Sequence, residues 1–205
     1  MNNALDIKLG FKKFFVRSTI NYTRNRIKAQ VLYSLKMYDG AIEYDDKALK
    51  SSKNNYKAFR IKGLASGQLR NYKEAIKCHD RILRKYSDDA ETLNNKGYPL
   101  AKIKKYDKAL KCIDKALKLV TENEHILDSK GFIIEELGKP EEAIKYYQKA
   151  VQINPEDYEI QYNKGKAHQK LKETQEALEC FNKALKLDPN YEDAKKAKEE
   201  ILSTN

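Results

Sequence analysis

The sequence predicts an all-α protein built as a solenoid of five helical hairpins. Three observations carry that expectation: a 34-residue period through residues 22 to 191, small residues at fixed places in each period, and a composition rich in charge and poor in turn formers. Charged residues make up 35% of the 205, while Gly and Pro number 8 and 4. That balance suits long solvent-exposed helices, because strands need more punctuation. With 40% hydrophobic residues and 14 Tyr, half-exposed aromatics supply enough apolar surface for folding, which argues against disorder.

The period is read from its second helices. YDGAIEYDDKAL begins at Tyr38, YKEAIKCHDRIL at Tyr72, YDKALKCIDKAL at Tyr106, PEEAIKYYQKAV at Pro140 and TQEALECFNKAL at Thr174. The copies therefore span 22–55, 56–89, 90–123, 124–157 and 158–191, with no insertion between them. Position 20 is Ala41, Ala75, Ala109, Ala143 and Ala177. Position 8 is Ala29, Gly63, Gly97, Gly131 and Gly165; position 27 is Ala48, Ile82, Ala116, Ala150 and Ala184. Two packed helices need small residues where their backbones approach, since a large side chain would hold them apart. Larger apolar residues such as Leu35, Leu69, Ile103, Leu137 and Leu171 at position 14 fall at helical spacing.

This pattern of small, aromatic and proline positions resembles the tetratricopeptide repeat (TPR) over residues 22 to 191. The resemblance implies an α-α superhelix, a right-handed solenoid of antiparallel helix A and helix B pairs whose concave face is lined mainly by helix A. The chain departs from the family at two places. The helix-ending proline appears only as Pro155 and Pro189, with Lys53, Ser87 and Thr121 in the first three copies. The position-4 aromatic is Phe59 alone, replaced by Asn25, Leu93, Leu127 and Gln161. A solenoid must cover its terminal apolar faces, so residues 192–205 are expected to form a C-terminal capping helix and tail. Residues 1–21 are expected to be an N-terminal capping helix using Phe11, Phe14 and Phe15, or else a basic partner-binding arm.

In relatives a peptide lies in the concave groove against helix A positions 2, 5, 6, 9, 12 and 13. Here the resemblance points to Arg26, Gln30, Lys57 and Arg60 in the first two copies, and to Asn94, Asn95, Tyr98 and Lys102 in the third. The fourth offers His125, Asp128, Ser129, Phe132, Glu135 and Glu136; the fifth offers Tyr162, Asn163, Lys166 and Lys170. The expected surface runs basic, neutral, acidic, then basic. Residues 1–123 carry 28 Lys+Arg against 13 Asp+Glu, a formal +15, whereas residues 124–205 carry 13 against 17, or −4, summing to the chain's +11. Such a gradient orients a charged partner, and it leads to the expectation of an acidic segment bound toward the first three copies. A clamp for a terminal carboxylate is not expected. Arg60 and Asn95 would serve, but Leu64, His125 and Ser129 stand where converging donors are needed.

Other signals have plainer readings. Asp46, Asp80 and Asp114 sit four residues before Lys50, Arg84 and Lys118, which reads as ordinary surface pairing along helix B. Cys78, Cys112 and Cys180 all fall at position 23, too far apart for disulfides and without partners at metal spacing. They read as packing thiols, and their odd number fits a reducing, cytoplasmic setting. His125 and His168 lack any nucleophile motif. Pro99, at position 10 of a helix A, cannot donate to the Asn95 carbonyl, so a bend is expected there, whereas Pro140 stands at a helix start. No apolar run reaches a membrane span, and no phosphate loop, zinc spacing or nucleophile elbow appears. The expected function is a non-catalytic scaffold or adaptor that binds a protein or peptide and needs no metal or cofactor. An RNA-associated adaptor using the basic first half is the alternative, as is a helper module beside a catalytic subunit.

Overall fold

The computed structural model describes the backbone of residues 2–52 and 55–204, and the side chains of residues 16, 18–52 and 55–203. Among the described residues there are eleven α-helices and no strand: α1 (Asn2–Ser34), α2 (Tyr38–Ser51), α3 (Tyr56–Gln68), α4 (Tyr72–Leu83), α5 (Ala90–Lys102), α6 (Tyr106–Leu119), α7 (Glu124–Glu136), α8 (Pro140–Ile153), α9 (Tyr158–Lys170), α10 (Thr174–Leu187) and α11 (Glu192–Thr204). The chain forms two compact units, Met1–Pro99 and Leu100–Asn205, which divide inside α5. In the first unit α1 packs on α2, α2 on α3, and α3 on α4. In the second, α7 pairs with α8 and α9 with α10, while α8 packs on α9 and α10 on α11.

The small residues lie where helices touch. All five position-20 alanines have no exposed surface, and neither do Ala48, Ile82, Ala116, Ala150 and Ala184 at position 27. At position 8 the approach is closer still. A Cβ built on Gly131 would stand 2.7 Å from the Tyr147 ring, one on Gly165 would stand 2.6 Å from the Phe181 ring, and one on Gly63 would stand 2.9 Å from the His79 ring. Those rings are the position-24 residues of the paired second helix, and each is buried. Glycine on helix A thus makes room for the largest side chain of helix B.

Each hairpin turn closes by one device that periodicity does not reveal. Lys36, Arg70, Lys104, Gly138 and Lys172, all at position 15, adopt the left-handed region with φ of 59°, 59°, 60°, 86° and 61°. In the second hairpin the Arg70 N–H donates to the Gly67 carbonyl and the Asn71 N–H to the Ser66 carbonyl. The paired bonds satisfy the last carbonyls of the first helix. Four of the five copies hold this conformation with a β-carbon, at a cost of about 1 kcal/mol each. First helices begin with side-chain caps at Asn55, Asn123 and Asp157. Pro140 opens α8 as expected.

At the N-terminal end α1 is continuous from Asn2 to Ser34, because the sequence from 11 to 33 offers no glycine or proline to stop it. The side chains of Phe11, Phe14 and Phe15 lie outside the described residues. At the other end α11 covers α10, burying Ala194, Ala197 and Ile201, with Ala197 and Ile201 in one cluster with Phe181. α5 runs through the buried Pro99 to Lys102.

Two consequences can be measured. Gly131→Ala and Gly165→Ala overpack the helix A to helix B contact and lower stability by about 1–3 kcal/mol, whereas Gly67→Ala, with open space around its Cβ, is neutral or stabilising. Arg70→Gly and Lys172→Gly relieve the left-handed turns and raise stability by up to about 1 kcal/mol each. Chemical denaturation of each variant checks both.

Candidate functional site

The expected ligand-facing positions do come together laterally within each unit. In the first unit Arg60 on α3 pairs with Asp89 at 2.7 Å and with Glu91, at position 2 of the next copy, at 2.5 Å. In the second, the Asn163 amide on α9 donates to both Asp128 oxygens of α7, at 3.0 and 3.2 Å. Lys102 reaches Glu136 at 3.5 Å and lies 4.6 Å from the centroid of the Phe132 ring. First helices of successive copies therefore lie side by side, touching through positions 2, 5, 6 and 13.

These contacts change the expected charge pattern. Arg60 is committed to two carboxylates, so it is not the open cation an acidic segment would need. The acidic fourth copy is largely compensated. Glu135, buried, accepts a 2.8 Å hydrogen bond from the Tyr147 hydroxyl and meets Lys170 at 2.7 Å. Burial pushes the Asp128 carboxyl up to about 7 despite the Asn163 bonds that oppose it. Elsewhere Lys57 and Gln30 are exposed, and Arg26, Asn94, Asn95, Ser129, Tyr162 and Lys166 are half-buried. The Asn94 side-chain oxygen is buried without a hydrogen-bond partner among the described residues. Tyr98 is 42% exposed and meets the Tyr72 ring edge-on at 6.1 Å. Tyr162 packs between Phe181 and Tyr191.

One recurring pairing departs from the sequence expectation. Asp46, Asp80 and Asp114 reach across to the next hairpin rather than along their own helix. Lys62 meets Asp46 at 2.8 Å, Lys96 meets Asp80 at 2.6 Å, and Lys130 meets Asp114 at 2.8 Å. Each joins position 25 of one copy to position 7 of its successor, and those lysine side chains keep only 16–19% exposure. Lysine stands at position 7 in all five copies, as Lys28, Lys62, Lys96, Lys130 and Lys164. That periodic lysine opposite a periodic acid was the available signal.

A family profile described as tetratricopeptide repeat matches residues 158–191, and a second, described as the psidin N-terminal TPR repeats region, matches residues 66–172. The chain belongs to the tetratricopeptide repeat family. Among solved TPR proteins it is similar to TTC0263 of Thermus thermophilus, at 16% identity and TM-score 0.81, over 88% of this chain and 98% of that one. It is also similar to MamA of Desulfovibrio magneticus, at 22% identity and TM-score 0.65, over 84% of this chain and 97% of that one. YrrB, described as a TPR protein with an unusual peptide-binding site, matches at 23% identity and TM-score 0.57, over 83% and 88%. These likenesses show the fold. No curated protein matches the chain in sequence.

Cys78 and Cys180 are buried free thiols, and burial pushes Cys78 up to about 12, far from a reactive thiolate. His125 is exposed beside Glu124 and Asp157, and His168 meets Glu173 at 2.7 Å. No group of metal-binding side chains occurs among the described residues, and no described helix is long and apolar enough to cross a membrane.

At position 24 two copies bury an ionisable group where the last two place Tyr147 and Phe181. Asp45 has no exposed surface, and neither carboxylate oxygen has a hydrogen-bond partner among the described residues. Burial, then the neighbouring Asp46, push it up to about 8, against the opposing pull of Arg26 and Lys62. His79 is 1% exposed, and burial and Arg60 lower it to about 4. For Asp45 the folded chain holds the proton more tightly than the unfolded chain. Its contribution is therefore complete at pH below about 4 and is lost as pH rises toward 8. His79 acts in the opposite sense, weakening the fold as pH falls from 6.5 toward 4. Asp45→Asn should consequently raise the melting temperature more at pH 8 than at pH 5, which melts followed by circular dichroism at the two pH values will show.

Proposed function

We propose that this TPR chain is a non-catalytic scaffold that docks a segment of a partner protein across the first helices of its repeats. The observation that carries the reading is the lateral meeting of ligand-facing positions from successive first helices, Arg60 with Glu91 and Asp128 with Asn163. These cross-helix contacts hold a mixed polar and aromatic surface in place before any partner arrives, which reduces the ordering cost of binding. Within the first unit Asn94, Asn95 and Tyr98 supply amide and phenol groups suited to a peptide backbone. The description of YrrB as carrying a peptide-binding site supports the same reading for this fold.

Charge plays a smaller part than composition suggests. With Arg60 engaged, preference for an acidic segment rests on the exposed Lys57 and half-buried Arg26 of the first unit. Lys62 and Lys96 are paired with Asp46 and Asp80, so fewer of the 28 cations of residues 1–123 stand open, while the formal +15 already counts those acids. This weakens the case for RNA, which reads a solenoid through unpaired cations. A cytoplasmic adaptor fits the free thiols.

A peptide array probed with the wild type and with Asn95→Ala and Tyr98→Ala tests the proposal. The expected result is a peptide hit that weakens about thirtyfold in the double variant, at roughly 1 kcal/mol for each lost contact, and that persists from about 50 to 200 mM salt. Retention of RNA that collapses over that salt range, with no peptide hit, would replace this reading by the nucleic-acid one.

A further inference from the structure

The outer face of α1 carries a line of exposed aliphatic side chains. Val16 is 50% exposed, Ile20 60%, Ile27 49% and Val31 51%. Val16 to Ile27 and Ile20 to Val31 are both eleven residues. An eleven-residue period, about 3.67 per turn, keeps such residues in one nearly straight line along a helix. From Val16 to Val31 the line is about 23 Å long.

The later hairpins show what this face is for. Position 10 is Val31 in the first copy, but Ala65 and Ala167, at the same position later, have no exposed surface, and neither does Ile133. Position 6 is Ile27 at 49%, against Ile61 at 7%. Within the first unit Ile61 and Ala65 are covered by α2, packing with Ala41, Tyr38 and Ile42. Within the second, Ala167 is covered by α8 through Ala143, Ile144 and Tyr147. A preceding second helix therefore seats on this face of each of those first helices, and in three hairpins its position-25 aspartate binds the position-7 lysine at 2.6–2.8 Å. On α1 the same lysine is Lys28. It is exposed and lies 5.1 Å from the Tyr44 ring centroid, and Gly40 replaces the acid that Glu74 presents to Lys62.

We propose that this face of α1 docks an amphipathic helix of another protein that carries an acidic residue beside its apolar stripe, seated as α2 seats on α3. Charge selects this occupant. α1 contains seven Lys and Arg against one Asp, so a second copy of α1 would be repelled and an acidic helix attracted. Shape selects it as well. The exposed line is narrow and bordered by Arg24 and Lys28, as a helix-to-helix seam is, whereas a helix lying in a lipid surface presents a broad apolar face. The dry seam gives affinity, and the Lys28 pair sets the register.

The test uses the full chain and a fluorescent, lactam-bridged helical peptide of residues 38–51, which holds four acids and two lysines. Saturable binding by fluorescence polarisation is expected. Val31→Glu should weaken it at least about tenfold by placing a charge in the seam, and Lys28→Glu about fivefold. A peptide carrying Asp46→Lys should recover the Lys28→Glu protein to within about twofold, a reciprocal rescue that a general loss of stability cannot imitate. Circular dichroism melts confirm that both exposed substitutions leave the fold intact. Affinity unchanged by Val31→Glu and Lys28→Glu, or absence of the rescue, overturns the proposal. So does either of two other outcomes obtained without peptide binding: co-sedimentation with phosphatidylserine vesicles, or self-association in sedimentation that Val31→Glu abolishes.

Discussion

The contact between position 8 of a first helix and position 24 of its second helix governs the rest of the structure. Where position 8 is glycine, as at Gly131 and Gly165, the helix backbone rests against a buried aromatic ring, with no room for a β-carbon. That closeness fixes how deep the two helices interlock, and so fixes which faces remain outward. Within each unit one outward face of a hairpin then meets the next hairpin, and the first helices are left side by side with positions 5, 6 and 13 in mutual contact. A surface able to receive a partner is thus a by-product of packing that excludes everything larger than glycine at one point.

Between hairpins a polar contact adds register. A buried apolar seam alone tolerates small slides along the helix axis, because dispersion and hydrophobic burial are not directional. The Lys62–Asp46, Lys96–Asp80 and Lys130–Asp114 pairs sit at the edge of that seam, with lysines mostly shielded and aspartates about half exposed. Partial shielding raises the strength of each pair above that of a free surface ion pair, while leaving the acid enough water to avoid a full desolvation penalty. The same pairs leave the chain with fewer open cations than its 41 Lys and Arg suggest.

Most of the fold was legible in the sequence because it depends on residue size at a fixed period, and size is visible one residue at a time. Ala41, Ala75, Ala109, Ala143 and Ala177 identify the helix crossings without knowledge of any partner. The site was less legible because it depends on which charges meet. Asp80 has a cation four residues on, at Arg84, and another sixteen residues on, at Lys96. Only the packed hairpins decide for Lys96. Likewise Arg60 reads as open in sequence, and packing brings Asp89 and Glu91 to it. The left-handed turns at Lys36, Arg70, Lys104 and Lys172 were hidden for another reason. Lysine and arginine are not the residues that announce such a conformation, and only Gly138 displays the usual sign.

Uneven use of position 24 gives the two units different characters. The second unit fills it with Ile113, Tyr147 and Phe181, and its one polar atom there, the Tyr147 hydroxyl, is bonded to Glu135. The first unit fills it with Asp45 and His79. Among the described residues every buried side-chain polar atom without a hydrogen-bond partner belongs to residues 22–94, including Tyr22, Asp45, Ser66, His79, Thr92 and Asn94. A buried polar atom left without a partner costs roughly 1–3 kcal/mol. The same unit carries the exposed α1 seam and the Asn94, Asn95 and Tyr98 surface. A partner helix on that seam would cover Ile27 and Val31 as α2 covers Ile61 and Ala65, adding apolar burial to the first unit. Binding there is coupled to folding by mass action, so occupancy of the α1 seam would stabilise that unit.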